Sequence, residues 1–93
     1  VTMIVKDPGT RVDFAFEWGA AYPEGQALVA SEWLATPDEP GGVTIAGQTY
    51  ELEQAAVTLA GGIAGHVYQV TNRVTLSDGQ IDERSMTVRV EER

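Results

Sequence analysis

His66-Val67-Tyr68-Gln69-Val70-Thr71-Asn72-Arg73-Val74-Thr75-Leu76, then Ser77-Asp78-Gly79-Gln80, then the run from Ile81 to Val90, is the stretch whose reading decides the fold. Tyr68, Val70, Val74 and Leu76 share one parity with Asn72 between them, and a period of two marks a half-buried strand. The return run places Met86, Val88 and Val90 on one face and Ser85, Thr87 and Arg89 on the other. Asp78-Gly79 joins the two, and because both residues tolerate positive φ the pair predicts a tight hairpin turn.

The same period recurs upstream. Arg11 to Trp18 sets Val12, Phe14, Phe16 and Trp18 against Asp13, Ala15 and Glu17. Gln26 to Ala35 sets Ala27, Val29, Ser31 and Trp33 against Leu28, Ala30, Glu32 and Leu34. Thr2 to Lys6 reads as a short first strand stopped by Asp7-Pro8-Gly9, since Pro cannot donate to a ladder and Gly takes the turn. Gly42 to Ile45 and Gln48 to Glu53 read as two shorter strands flanking Ala46-Gly47. Tyr50 to Gly62 fits two templates. Leu52, Ala55, Ala56 and Leu59 match a helical face, with Gly61 at the C′ position, whereas alternation toward Gly61-Gly62 matches a strand. Strand is the reading consistent with the rest.

Val, Ile and Thr number 24 against five Leu, a composition that suits pleated surfaces. Turn signals recur at Asp7-Pro8-Gly9, Pro23-Glu24-Gly25, Pro40-Gly41-Gly42, Gly61-Gly62 and Asp78-Gly79. Short strands separated at such intervals predict an all-β sandwich or barrel. The 93 residues suffice for one domain, 1–93, with one core. No apolar run is long enough for a helical membrane span, and the first residues lack a signal-peptide pattern.

Charge narrows the partners. Six Lys and Arg against 14 Asp and Glu give a net charge of −8, which argues against nucleic acid. From Val12 to Asn72 there is no Lys or Arg, while Asp13, Glu17, Glu24, Glu32, Asp38, Glu39, Glu51 and Glu53 are acidic. The remainder balances six acids with six bases, so the whole excess sits in the middle segment. Solvated acids keep a small protein soluble; the same acids also make a negative face for a basic partner.

The residues offer little catalytic chemistry. There is no cysteine and one histidine, His66, which lacks the partners of a nucleophilic triad or a familiar zinc site. Asp38-Glu39, Asp82-Glu83 and Glu91-Glu92 are adjacent pairs, and neighbours on a strand point to opposite faces, so neither pair member can share a bond with the other. No phosphate-binding loop or EF-hand spacing is present, and the expectation is no catalytic residue, no metal and no cofactor.

Gly65-His66-Val67-Tyr68-Gln69-Val70, Val74, Asp78-Gly79 and Met86-Thr87-Val88-Arg89-Val90 resemble the F–G hairpin of immunoglobulin-like domains. Tyr68 takes the place of the tyrosine corner, and Val70 stands where an antibody domain carries its second cysteine. The fold implied is an immunoglobulin-like β-sandwich of about seven antiparallel strands. A narrower likeness runs through Lys6-Asp7-Pro8, Val12-Asp13-Phe14 with Trp18, Ser31-Glu32-Trp33, Gly61-Gly62 with Gly65, Tyr68 to Thr75, and Asp82-Glu83-Arg84-Ser85. In that order these pieces resemble small immunoglobulin-like virion proteins of tailed phages and prophages, of the fibre–tail adaptor type. The resemblance implies a non-enzymatic virion component, made in the host cytoplasm, in several copies and in contact with other tail, fibre or head proteins. Neither nucleic acid nor membrane is an expected partner.

Core and interface readings follow. Phe14, Phe16, Trp33, Tyr68, Val70 and Val88 are the expected core, with Trp33 filling the inter-sheet position. Trp18, beside Gly19-Ala20-Ala21-Tyr22-Pro23, suits a core position and an exposed platform equally, so Trp18 and Tyr22 are candidate interface residues. Arg73 and Arg84 are expected to face acids across the hairpin, or to anchor a partner. Thr2 to Lys6 and the tail Glu91-Glu92-Arg93 suit docking arms. Two rival roles stand beside the adaptor: a capsid decoration or cement protein, and a carbohydrate-binding or adhesin-type module built on Trp18 and Tyr22.

Overall fold

The hairpin lies in the middle of the larger of two packed sheets. The computed structural model describes residues 2–18 and 27–92. Its strands are β1 (Thr2–Lys6), β2 (Val12–Glu17), β3 (Leu28–Thr36), β4 (Val43–Tyr50), β5 (Gln54–Gly61), β6 (Val67–Leu76) and β7 (Ile81–Val90), with no helix among the described residues. One sheet has the order β1-β7-β6-β3 and the other β2-β5-β4. This is a sandwich, one of the two forms that the alternation predicts and the form that the immunoglobulin-like resemblance implies, with one exception to its antiparallel pairing. β1 runs parallel to β7, Thr2 opposite Met86 and Lys6 opposite Val90.

The core forms between the inward parities. Phe16, Trp18, Trp33, Leu59, Tyr68, Val70, Val74, Leu76, Met86, Val88 and Val90 are all buried. Phe14 is half-buried and packs against this cluster from its margin, so it is a rim residue of the core and not a central one. Phe16 stacks on Trp33 at 5.5 Å between centroids, with Phe14 and Trp18 edge-on at 5.4 and 6.4 Å. Such pairs add roughly 0.5–1.5 kcal/mol beyond the area they bury.

Two bulges overturn details of the sequence reading. The β3–β6 register shifts between Leu28 and Ala30, and the extra residue reverses the parity of the strand's first residues. Leu28 is therefore buried beside Trp33's face, and Val29, expected inside, is exposed. A second shift, between Ile45 and Gly47, lets one strand continue where two were expected. The segment after it closes early: Glu51 N–H donates to Gln54 O, making 51–53 a turn, and β5 follows as a strand, not a helix. The hairpin turn also differs from the expected form. Gly79 alone has positive φ, Asp78 does not, and four residues separate β6 from β7.

Candidate interaction surfaces and the locks behind them

The residues that the sequence scattered along the chain converge at two places. At one, Trp18 follows β2 and its backbone N–H donates to Glu53 O at 2.8 Å. Its indole Nε1 donates to Asn72 Oδ1 at 2.8 Å across the sandwich, and Asn72 Nδ2 donates to Ser31 Oγ and Glu32 O, each at 2.9 Å. Asn72 is wholly buried, and from β6 its amide ties the residue that follows β2 to two residues of β3. Satisfied polar groups of this kind fix one arrangement of two sheets that apolar contacts alone leave free to slide. The Arg84 guanidinium lies 4.4 Å from the centroid of the Trp18 ring and donates to Glu17 O at 3.4 Å.

This decides between the two readings of Trp18 and corrects that of Arg84. Trp18 is 1% exposed, so it is a core residue and not a platform, because its N–H has an internal partner and its ring has a cationic lid. Arg84 is opposite Asn72, and what it covers is an aromatic face, not a cross-strand acid. Arg73 does meet an acid: it is opposite Glu83, at 3.8 Å, with both side chains more than half exposed. A pair so placed holds little stability, and Arg73 is left on the outer sheet face. There it lines a shallow concavity of about 220 Å³ with Glu32, Trp33, Leu34, Thr71 and Glu83. Tyr22 lies outside the described residues.

The second convergence is at the opposite end. Lys6 has the inward parity at the end of β1 and is 1% exposed. Its Nζ donates to the carbonyls of Asp7, Thr10 and Gly61 at 2.9, 2.6 and 2.7 Å, so all three ammonium protons bond. Burial pushes its pKa down, and the neighbouring Asp7 carboxylate opposes that shift. Tyr68 forms the tyrosine corner. Its hydroxyl accepts from Ile63 N–H at 3.2 Å and donates to Glu39 Oε1 at 2.6 Å. His66 Nδ1 approaches the same carboxylate oxygen at 2.9 Å. The Tyr68 and then the His66 hydrogen bonds hold the Glu39 carboxyl below the usual range. Burial, then the Glu39 bond, push the Tyr68 phenol up.

Lys6, Gly61 and Tyr68 thus tie three turns together, and Trp18, Ser31, Asn72 and Arg84 tie two sheets. Asn72 and Lys6 were missed as structural keystones, although each is a polar residue at an inward parity, which is the signal that finds them. Glu39 carried no such signal, since it lies in a loop. No three or more His, Cys, Asp or Glu among the described residues gather in a cluster that would hold a metal ion.

The residues of the phage-protein resemblance lie on the strands and turns of one sandwich. A family model described as podophage GP4 fibre–tail adaptor protein gp77 matches residues 6–89. The chain belongs to the Gp77 family. The match begins at the caged Lys6 and ends at Arg89, one residue short of the end of β7, so it takes in both locks of this Gp77 chain. Among solved structures the Gp77 chain is similar to the PKD domain from the KIAA 1837 protein, determined in solution. The two share 19% identity with a TM-score of 0.58, over 99% of this chain and 82% of that one. That likeness shows the immunoglobulin-like fold. No curated protein matches the chain.

Proposed function

We propose that this protein is a non-enzymatic adaptor that joins tail to fibre in a podophage or prophage particle, acting as one rigid domain with neighbours on its edges and faces. The Gp77 match over residues 6–89 carries the reading, because it takes in five of the seven strands whole and all of β7 but its last residue. The chemistry supports it: the buried Asn72 and Lys6 are spent on locking sheets and turns, and the Glu39 carboxylate is bonded to both His66 and Tyr68. A mechanism by geometry needs such stiffness, since an adaptor transmits position between two partners. The sugar-binding reading was built on Trp18 and Tyr22, and the burial of Trp18 takes one of the two out of such a platform.

Peptide mass spectrometry of purified particles, quantified against the major capsid protein, tests the proposal. Trypsin has no site between Val12 and Asn72, so cleavage after Glu is required. A few copies per particle is the expected result. A count close to that of the capsid protein makes the chain a decoration protein, and absence from the particle ends the virion reading. In the particle, Arg73→Ala is expected to lower assembly while the isolated domain melts as before.

A further inference from the structure

The four outer strands of the sandwich guard their edges unequally. β1 is five residues long and ends in the Lys6 cage. β2 is six residues long and carries Asp13 and Glu17. β3 carries Glu32 and a bulge, and the Tyr50 hydroxyl donates to its Val29 carbonyl at 2.9 Å. β4 is different. Val43-Thr44-Ile45-Ala46-Gly47-Gln48-Thr49-Tyr50 has neither a charge nor a proline, pairs only with β5 among the described strands, and is exposed along 46–50. Short length, charge, proline and bulges are what keep an edge from accepting another strand, and β4 has only its bulge and, at its last residue, the Tyr50 bond to β3.

The occupant is indicated by charge. Asp38 and Glu39 precede this uncharged strand, Glu51 and Glu53 follow it, and no Lys or Arg occurs between Val12 and Asn72. A second copy of a chain with net charge −8 would bring like charges to both ends of the strand. We propose that the free edge of β4 receives an extended segment of a partner protein as an added strand, a segment with Lys or Arg on either side of an uncharged stretch about as long as β4. Backbone hydrogen bonds along 43–50 supply affinity, and Asp38 at one end with Glu51 and Glu53 at the other set register and select the partner, Glu39 being held by Tyr68 and His66. The inference is independent of where in a particle the protein sits, so loss of the virion reading leaves it standing.

The test uses the whole chain and two synthetic peptides, each of alternating Thr and Val bracketed by two Lys at both ends or by two Glu at both ends. Labelled peptide is titrated by fluorescence anisotropy, and backbone amide exchange is followed by NMR. The Lys-bracketed peptide is expected to bind, to weaken with added salt, and to protect amides within 43–50. Glu51→Lys with Glu53→Lys is expected to weaken that peptide at least about tenfold and to gain the Glu-bracketed one, and Gln48→Lys to weaken the Lys-bracketed one. Glu51 and Glu53 have exposed side chains, and an unchanged thermal melt of the double variant shows that the domain remains folded. No binding of the Lys-bracketed peptide, protection on β1, β2 or β3 instead, or indifference to the charge reversal would overturn the proposal.

Discussion

Two polar residues inside this sandwich each hold more than one element, which makes them expensive to truncate. Asn72→Ala leaves the Trp18 N–H without its acceptor and removes both donations to β3. The expected cost is about 2–3 kcal/mol, read from urea unfolding, since a buried donor loses its partner as well as a hydrogen bond. Lys6→Met is a different experiment. A buried charge is costly in itself, and an apolar replacement of both partners is often harmless. Here the partners are backbone carbonyls of Asp7, Thr10 and Gly61 that no substitution removes, so about 1–3 kcal/mol is expected to be lost. Arg84→Ala is the mild case. It removes a cation–π contact worth about 0.5–1 kcal/mol, and its clearer sign is a red shift of tryptophan emission as the Trp18 face is uncovered.

Whole strands were legible where the period of two ran uninterrupted. β6 and β7 came out with their inward residues assigned correctly, because nothing in either disturbs the pleat. β3 and β4 each contain one residue too many, and no residue type announces a bulge, so Leu28 and Val29 exchanged faces and one strand read as two. The site was less legible than the fold. Which side chains meet across the sandwich depends on register and packing, and Trp18 with Asn72 is 54 residues apart. The turns around Tyr68 supply two predictions. Glu39 has its carboxyl held below the unfolded value, so it contributes stability that is complete above the ordinary Glu range and is lost as pH falls through the folded value. Glu39→Gln is therefore expected to flatten the acid limb of a stability–pH curve, and an unchanged limb would show that the corner does not depend on the carboxylate. Gly62 has φ of +115°, and a Cβ there would lie 2.7 Å from Val90 Cγ2. Both the backbone and the contact oppose a side chain, so Gly62→Ala is expected to lower the melting temperature and to cost about 1–3 kcal/mol.

Across the whole molecule, local attraction and global repulsion respond to salt in opposite directions, and their sizes decide which is seen. The attractive side is thin. Arg73–Glu83 and Arg89–Glu91 are exposed pairs, each worth about 0–1 kcal/mol before screening, and Lys6 is committed to carbonyls. The repulsive side is the −8 net charge, concentrated by a middle segment without a base. Its self-repulsion opposes the compact state, and screening relieves it over distances longer than about 8–10 Å near physiological ionic strength. The repulsion acts among many acids at such distances, while the pairs act at contact and lose less. Raising NaCl from about 20 to about 500 mM is therefore expected to raise the melting temperature. A fall would mean that the few ion pairs outweigh the net charge. The same titration acts on the edge of β4 with the opposite sign, because the acids that repel one another are those that would attract a basic strand. Stability that climbs with salt while peptide affinity declines would assign both effects to one charge distribution, and two curves moving together would separate them.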